Sequence, residues 1–444
     1  MYKGKFILNV QQSALAKSSS AWDALKYAPT VITSSAGSLT VLNKPTVVYI
    51  DGRRVHQSGE ALMQYLQGIP ASNIDKIEVI GHPDPSYAAD ISTVIKISTI
   101  KYKDDGIKGN ITFRGIKASF LHKYINGTVN YKKGALYLQS GYGYSYAKNK
   151  IINNYEKLGQ TGYVWLIPQQ SISSTNTNRF HTTLGYDFNK NNKLTFYTDI
   201  TPSTNHSNLK ANNGSFTDDR SNDSIYRFNA KGSNKSTSIQ SQMTYETIFG
   251  EGKQPLKFEL EYFHNRQNNL NKYSNDIYDL LKAEYISDYN KMDVLPQSLN
   301  TWVGYITNTT KLLGEEFSYG LRFSQNQILN DDSTYDNSSI PLQLLASQKV
   351  SYKETNYAAF TSWQKQIKNL FIQLGLRIEN NKIDSQSDSL NAVVNYNWFN
   401  VFPNLLFQYS KTASSYWILS FNKSFKRPDY SLPQKTDYRH SASN

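Results

Sequence analysis

The sequence predicts a mainly β fold: a small α/β domain followed by an incomplete antiparallel transmembrane β-barrel of about thirteen strands. Two observations lead to this prediction. The first part of the chain mixes short helical and strand patterns, whereas from about residue 107 onward apolar residues recur at every second position. The chain also lacks any apolar run of ~18 residues, the length that a spanning helix requires. We expect domains at 1–101 and 102–430, followed by a disordered tail at 431–444.

The N-terminal domain carries both kinds of local pattern. Apolar residues at helical spacing follow Ser20, and Pro29 ends that helix. The β-branched segment 46–50 predicts a strand that ends in the turn Asp51-Gly52. The remaining predicted elements are a second short helix and two strands, at 58–66, 74–80 and 93–100.

Strict alternation of apolar and polar or small residues marks the second domain. It is clearest in segments 317–324 and 370–378. Strands with one face in lipid and one face in a wet lumen alternate in this way. We therefore expect nine side chains to face lipid: Phe317, Tyr319, Leu321, Phe323, Leu370, Ile372, Leu374, Leu376 and Ile378.

The connections favour a membrane barrel over a soluble β-sandwich. Short turns such as 132–134 and 367–369 alternate with polar stretches that we expect to be long loops, near 148–177, 203–235, 269–298, 329–347 and 383–396. Short turns on one side and long loops on the other are typical of outer-membrane barrels. Such barrels have even strand numbers in single bacterial chains, so an odd number predicts that this chain is a fragment.

Composition points the same way. The chain has 33 Tyr and no Cys, and only 39% of its residues are hydrophobic. Tyrosine is an amphipathic residue suited to membrane–water interfaces, and the absence of Cys excludes disulfide scaffolds and thiolate metal sites. The net charge of +13 is spread over the chain without a dense basic run, so a nucleic-acid partner is not expected. Basic residues instead suit lipopolysaccharide phosphates near the barrel rim, or they line the lumen and attract anionic solutes.

Several segments resemble the plug domain of TonB-dependent outer-membrane receptors. They are TVVYIDG at 46–52, SGEALMQYLQGIPASNIDKIEVI at 58–80 and PDPSYAADISTVIKIS at 83–98. Residues 354–360, 375–379 and 398–430 are similar to the barrel strands of plug-bearing members of the outer membrane protein beta-barrel group, including the Arg427-Pro428-x-Tyr430 feature. The secretory signal, regulatory-like β-sandwich and TonB box of that family are not found in this sequence, which again predicts a fragment, here also without the C-terminal strands.

The resemblance implies a function in the outer membrane of a Gram-negative bacterium. It implies binding of a nutrient at the cell surface and its passage through a plugged barrel, with TonB as the partner of the full-length parent. The nutrient itself stays unidentified, because sugar oligomers, peptides, siderophores and cobalamin all use this architecture. The alternatives are a surface-binding or adhesion barrel with a fixed plug, an inactive receptor fragment, and a soluble all-β binding protein.

Candidate ligand-binding residues lie in the plug turns and in one outer loop. Arg53 and Arg54 offer positive charge for an anionic ligand, or simply line a wet surface beside the Asp51-Gly52 turn. His82, Asp84 and Tyr87 belong to a Pro-rich turn, which suits a rigid plug turn better than a metal or acid–base pair. Tyr163 and Trp165 are either stacking groups for a sugar or peptide, or girdle residues of a tall strand.

No catalytic motif supports an enzyme. The sequence contains neither HExxH nor GxSxG nor a Walker-type phosphate loop. Catalytic residues, metal ligands and cofactors are therefore all expected to be absent, and binding with gated passage is the expected activity.

Overall fold

The computed structural model describes residues 4–14, 20–34, 37–100, 104–158, 164–216, 222–249, 254–279, 284–338, 340–388, 392–412 and 415–425. Within them the chain forms two sheets, one of seven strands and one of thirteen. None of the helices in these described ranges is long and apolar enough to cross a membrane.

The N-terminal domain, here called the plug, has two helices, α1 (Ala21–Leu25) and α2 (Gly59–Gln67). Its strands are β1 (Lys5–Asn9), β2 (Val31–Thr33), β3 (Leu39–Val41), β4 (Lys44–Ile50), β5 (Arg53–Arg54), β6 (Ile74–Ile80) and β7 (Thr93–Thr99). They are ordered β1-β6-β7-β4-β3-β2, with β5 paired to β4. Strands β4 and β7 pair in parallel, and every other pair in this sheet is antiparallel.

The plug is held together by its own apolar core. Trp22 and Leu25 from α1 and Leu66 from α2 are almost fully buried against sheet residues such as Ile77 and Ile97. Helix α1 begins at a capping box in which Ser20 and Asp23 exchange side-chain and backbone hydrogen bonds. The plug therefore has a hydrophobic core of its own, apart from its contacts with the surrounding sheet.

The thirteen-stranded sheet, here called the wall, is an antiparallel meander in chain order. Its strands are β8 (Gly106–Lys117), β9 (Leu121–Lys133), β10 (Leu136–Leu158), β11 (Val164–Asn189), β12 (Asn192–Phe216), β13 (Asn222–Thr247), β14 (Leu256–Asp279), β15 (Glu284–Leu312), β16 (Glu315–Asp336), β17 (Gln343–Ile367), β18 (Leu370–Ser387), β19 (Ala392–Ser410) and β20 (Tyr416–Asn422). Strands β8 and β20 form its two edges in the described residues. The mainly β fold and the antiparallel meander predicted from the sequence are thus confirmed.

The predicted long loops are the main error in the sequence analysis. Most of 148–177, 203–235 and 269–298 lies in paired strands, so the wall continues outward as tall β-hairpins. These stretches lack apolar alternation because both of their faces are polar. Backbone pairing between neighbouring strands holds them together, and the local sequence pattern does not report such pairing.

We call the end of the wall at the short turns the short-turn end, and the opposite end the far end. The short turns join β9 to β10, β11 to β12, β15 to β16 and β17 to β18. The predicted tail at 431–444 lies outside the described residues.

Candidate functional site

The plug contacts a single face of the wall, and the contacts lie toward both edges of the sheet. Arg114 of β8 donates a 3.0 Å hydrogen bond to Asp23 of α1, and Arg179 of β11 donates a 2.6 Å hydrogen bond to the Tyr65 hydroxyl of α2. On the other side, the Gly4 amide donates a 2.8 Å hydrogen bond to Gln408 of β19. The wall therefore curves around the plug, and the face that carries these residues is its inner face.

A Pro-rich turn of the plug rests against strands β18 and β19. Arg377 Nη1 donates a 3.1 Å hydrogen bond to the Pro85 carbonyl, and Asn404 Nδ2 donates one of 3.0 Å to the Pro83 carbonyl. Gly375 lies beneath the Pro85 ring, at a position where an added Cβ would overlap that ring. This turn of the plug therefore packs directly against β18 and β19.

A buried polar network lies under the same turn. Arg377 and Glu379 are 1% and 0% exposed, and Arg377 Nε lies 2.5 Å from Glu379 Oε1. Asn356 donates hydrogen bonds to Glu379 (2.9 Å) and accepts one from Arg322 (3.0 Å), so the network spans β16, β17 and β18. Charges buried so deeply are tolerated only when they are paired and hydrogen-bonded. Arg377 meets this condition through Nε and Nη1, while its Nη2 is buried without a hydrogen-bond partner among the described residues.

A cavity of about 1090 Å³ lies between the plug and strands β14 to β17. Its lining mixes charges of both signs, including Arg54, Asp84 and Lys96 of the plug and Glu259 and Arg322 of the wall. A smaller space of about 470 Å³ continues beside Asp51 and Arg53 toward the short-turn end. Two spaces lined by charged and polar residues therefore lie between the seated plug and the wall.

One histidine and one lysine of the plug make polar and aromatic contacts at the large cavity. His56 Nε2 lies 2.6 Å from Glu261 Oε1, and the His56 ring stacks on Phe263 with centroids 4.2 Å apart. Burial lowers the pKa of Lys96, although Asp84 and Glu78 oppose the shift, and its ammonium lies 5.3 Å from the Tyr87 ring centroid. The interface therefore combines ionic and aromatic contacts on one side of the cavity.

The structure brings together only some of the predicted ligand-binding residues. Arg54, Asp84 and Tyr87 line the large cavity, whereas Arg53 lies over the Tyr197 ring, 4.0 Å from its centroid, in the smaller space. Both arginines therefore face the short-turn half of the wall.

His82 does not line the large cavity. Burial, with Lys44 nearby, lowers its pKa below the ordinary histidine value, so the imidazole is neutral at neutral pH. Tyr163 lies outside the described residues, and Trp165 is placed only as a backbone position in β11. No group of three or more His, Asp or Glu side chains in the described ranges is arranged to hold a metal ion.

The nine side chains predicted to face lipid lie on the outer face of the wall, opposite the plug. Leu376 and Ile378 are 42% and 36% exposed, while Arg377 between them is buried. Tyr319 and Leu321 on β16 show the same contrast with buried Arg322. Phe317, Leu370 and Ile372 are half-buried on this face, and Phe323 and Leu374 are exposed. The outer face thus carries an apolar band near the short-turn end.

Beyond α2, the inner face of β11 to β14 carries an uncharged polar surface. Thr177 of β11 marks its level, because its hydroxyl lies 3.5 Å from Gln64 of α2. Strand register aligns the inner-face residues of the four strands in three rows. We call this surface the neutral patch; its residues are Thr177, Ser203, Ser236 and Gln267, then Thr175, Asn205, Asn234 and Asn269, then Ser173, Ser207, Gly232 and Asn271.

Hydrogen bonds across the strands order part of this patch. Asn205 donates to Thr175 (2.6 Å), and Gln267 donates to Gln297 of β15 (2.5 Å). Asn234 Oδ1 is buried and has no hydrogen-bond partner among the described residues. Gly232 makes room for its neighbours, since a Cβ there would lie 2.5 Å from Ser207 Oγ and 3.0 Å from Asn271 Oδ1. The patch therefore presents closely spaced amides and hydroxyls, of which one acceptor is unpartnered.

The charged residues at the same height lie on the opposite face. They alternate with the patch residues along the strands and are exposed: Lys210, Lys231, Lys235, Arg266 and Lys272. On the inner face, charge reappears at β15, where Asp293 accepts a 2.8 Å hydrogen bond from Thr334. Farther from the plug, Phe228 and Tyr273 extend the inner face with stacked rings, 6.2 Å between centroids.

Sequence reasoning missed both the Arg377–Glu379 network and the neutral patch. The alternation at 370–378 already assigned Arg377 to the face opposite the apolar residues, but the sequence did not reveal its partner in the plug. The patch residues were interpreted as loops, so no face was assigned to them. The signal available in the sequence was the alternation of basic residues with amide and hydroxyl residues along these strands, which places the two groups on opposite faces.

Residues 247–434 match the model of the outer membrane protein beta-barrel family. This stretch begins at the end of β13 and includes the whole of β14 to β20. Together with the apolar outer band, the match identifies the wall as that of a Gram-negative outer-membrane β-barrel, as the sequence predicted. It is also consistent with the resemblance to plug-bearing receptors. No curated protein sequence matches the chain.

Solved structures with a similar arrangement include three receptors. The ferric-catecholate import receptor Fiu of E. coli is 11% identical, with 93% of this chain and 84% of that chain covered and a TM-score of 0.42. The ferric yersiniabactin uptake receptor FyuA of Yersinia pestis is 9% identical, with 94% of this chain and 78% of that chain covered and a TM-score of 0.34. The siderophore receptor PiuA of Acinetobacter baumannii is 10% identical, with 92% of this chain and 85% of that chain covered and a TM-score of 0.34.

Proposed function

We propose that this protein is an outer-membrane receptor that binds a nutrient at the cell surface and passes it through a plugged barrel. The observation that carries the proposal is the polar cavity between the plug and β14 to β17, which continues toward the short-turn end. A space of this size and polarity beside a seated plug is suited to the passage of a small polar solute once the plug shifts.

The direction of transport follows from the two ends of the wall. Short turns face the periplasm in outer-membrane barrels, and the longer outer connections face the medium. Gly4, at the start of the described plug, contacts Gln408 near the short-turn end of β19. A pull by TonB on the N-terminal end of the plug would therefore act from the periplasmic side. The exposed lysines of the outer hairpins are suited to contact lipopolysaccharide phosphates in the outer leaflet.

A surface-binding barrel with a fixed plug is the second candidate. The buried Arg377–Glu379 network favours it, because these paired charges hold the Pro85 turn against the wall. The two candidates differ in one respect: only a transporter needs its plug to move when the cell is energised.

A single cysteine on the cavity side of the plug tests this difference. The chain has no native cysteine, so Ser86→Cys provides a unique thiol in the cavity lining. Cells with this variant would be treated with a membrane-impermeant maleimide, with and without a protonophore. We expect several-fold faster labelling in energised cells, because plug movement opens the cavity.

Lys235→Cys is the matched control, since Lys235 is exposed on an outer hairpin and should label at the same rate in both conditions. Equal labelling of Ser86→Cys with and without the protonophore would reject transport and leave the fixed-plug barrel.

A further inference from the structure

We propose that the ligand of this receptor is a neutral oligosaccharide, held by the neutral patch and by the Phe228–Tyr273 ring pair. The proposal deepens the proposed function and rests on it, because it names the chemical class of solute that the barrel admits. It is based on the chemistry of the inner face just beyond α2, where a ligand arriving from outside first meets the plug.

Charge is the first argument. The protein has a net charge of +13, and five cations of β12 to β14 lie at the height of the patch, whereas Lys291 of the neighbouring β15 is paired with Asp293. All five are on the outer face, and the three rows of the patch contain no charged residue. Recognition of an anionic ligand, such as a carboxylate or a catecholate complex, relies on cations that point at it. The three rows of the neutral patch offer none, and the nearest inner-face cation of these strands, Arg179, is already paired with Asp199.

Hydrogen-bonding capacity is the second argument. Asn and Gln amides each offer donors and acceptors, as do Ser and Thr hydroxyls. Sugar hydroxyls also donate and accept, so dense rows of such groups complement a polyhydroxylated surface. Asn234 Oδ1, buried without a partner in the described part of the chain, is an acceptor that a ligand hydroxyl would satisfy.

Aromatic rings are the third argument. Tyr273 lies in the inner-face row directly beyond Gly232 and Asn271, and Phe228 lies in the row after it. Their centroids are 6.2 Å apart and their planes 27° apart, so the two rings form one aromatic cluster. The faces of pyranose rings carry C–H groups that pack on aromatic faces, while their edges carry hydroxyls for the amides. An aromatic surface next to amide rows matches both features of a sugar chain.

The adjacent residues Asn268 and Asn269 provide the test. Both are on β14, but Asn269 belongs to the neutral patch and Asn268 points to the outer face, where it is exposed. Full-length chain in detergent would be applied to an array of neutral, uronic-acid and sulfated oligosaccharides, with ferric enterobactin as an anionic probe in solution. We expect binding to neutral oligosaccharides that changes little between low and high salt.

Asn269→Leu, which keeps the side-chain size and removes the amide, should weaken that binding about tenfold, and Asn268→Leu should leave it unchanged. Tyr273→Ala is a second variant that should also weaken binding, through loss of ring contact. Binding only to anionic probes, binding to no neutral oligosaccharide, or equal loss in Asn268→Leu and Asn269→Leu would each overturn the proposal.

The outcomes separate this proposal from the proposed function. If neutral oligosaccharides bind in an Asn269-dependent manner while Ser86→Cys labelling ignores the protonophore, the ligand class stands and transport fails. If labelling depends on energy and no neutral oligosaccharide binds, transport stands and the ligand class fails.

Discussion

Arg377 of β18 donates a hydrogen bond from Nη1 to the carbonyl oxygen of Pro85, 3.1 Å away in the plug. The same guanidinium pairs with Glu379 through Nε. One side chain therefore connects a buried ion pair in the wall to the backbone of the plug. Because the wall is an outer-membrane barrel, this hydrogen bond connects the Pro85 turn of the plug to an ion pair buried in the membrane-embedded sheet.

Removal of Arg377 should loosen the plug. Arg377→Gln leaves Glu379 buried without its cation, and breaking a buried pair in this way costs roughly 3–5 kcal/mol. We expect the plug to leave the wall at a lower urea concentration, measured as the onset of channel conductance in planar bilayers. Arg266→Gln, on the exposed outer face, is the control and should behave like the wild type. An unchanged onset for Arg377→Gln would show that the pair does not secure the plug.

A methyl group at Gly375 should displace the Pro85 turn. The new Cβ of Gly375→Ala would overlap the Pro85 ring, and overpacking of this kind costs roughly 1–3 kcal/mol. Gly304→Ala is the matched control, because a Cβ at Gly304 meets no atom within 4 Å. Thermal release of the plug, followed by protease sensitivity of the Pro85 turn, should shift only for Gly375→Ala. Equal shifts for both variants would refute the close contact.

Asp23 should make the stability of α1 depend on acid. Burial opposes its ionisation, but hydrogen bonds from Ser20 and Lys26 and the charge of Arg114 outweigh burial and lower its pKa. Its contribution is therefore complete above the unfolded carboxyl pKa of about 4 and is lost as pH falls through the lower folded value.

Asp23→Asn should accordingly speed hydrogen exchange in α1 at pH 7, by the loss of roughly 1–2 kcal/mol. The difference from the wild type should shrink in acid. Asp104→Asn, at an exposed position before the wall, should change neither value. A difference that does not shrink as the pH falls below the unfolded carboxyl pKa of about 4 would show that the Asp23 charge is not responsible.

Leu376 and Val393 should respond differently to a charge. Both are exposed on the outer face, but Leu376 lies within the apolar band of β18 and Val393 lies close to the far end of β19. Leu376→Lys should destabilise the barrel in lipid vesicles by roughly 2–4 kcal/mol, and Val393→Lys by less than about 1 kcal/mol. Urea unfolding in vesicles measures both. Equal effects would place the apolar band elsewhere.

The sequence by itself determined the two-part organisation and the alternation of the wall. The contrast between Leu376 and Arg377 could be read locally, because a strand between lipid and a wet interior must alternate at every residue. The patterns at 74–80 and 93–100 likewise predicted the two strands that the structure shows as β6 and β7. In each case the signal lies within a few neighbouring residues.

Only the tertiary structure decided which distant residues meet. Pro85 and Arg377 lie far apart in the chain, and neither sequence pattern specifies the other. The neutral patch arises from the register of four strands, which aligns Thr175, Asn205, Asn234 and Asn269 in one row. Such polar strands are held by backbone pairing with their neighbours, so their local sequence resembles that of loops. The physical reason is that lipid imposes a pattern on each strand, whereas pairing and plug contact depend on residues that the chain brings together only when it folds.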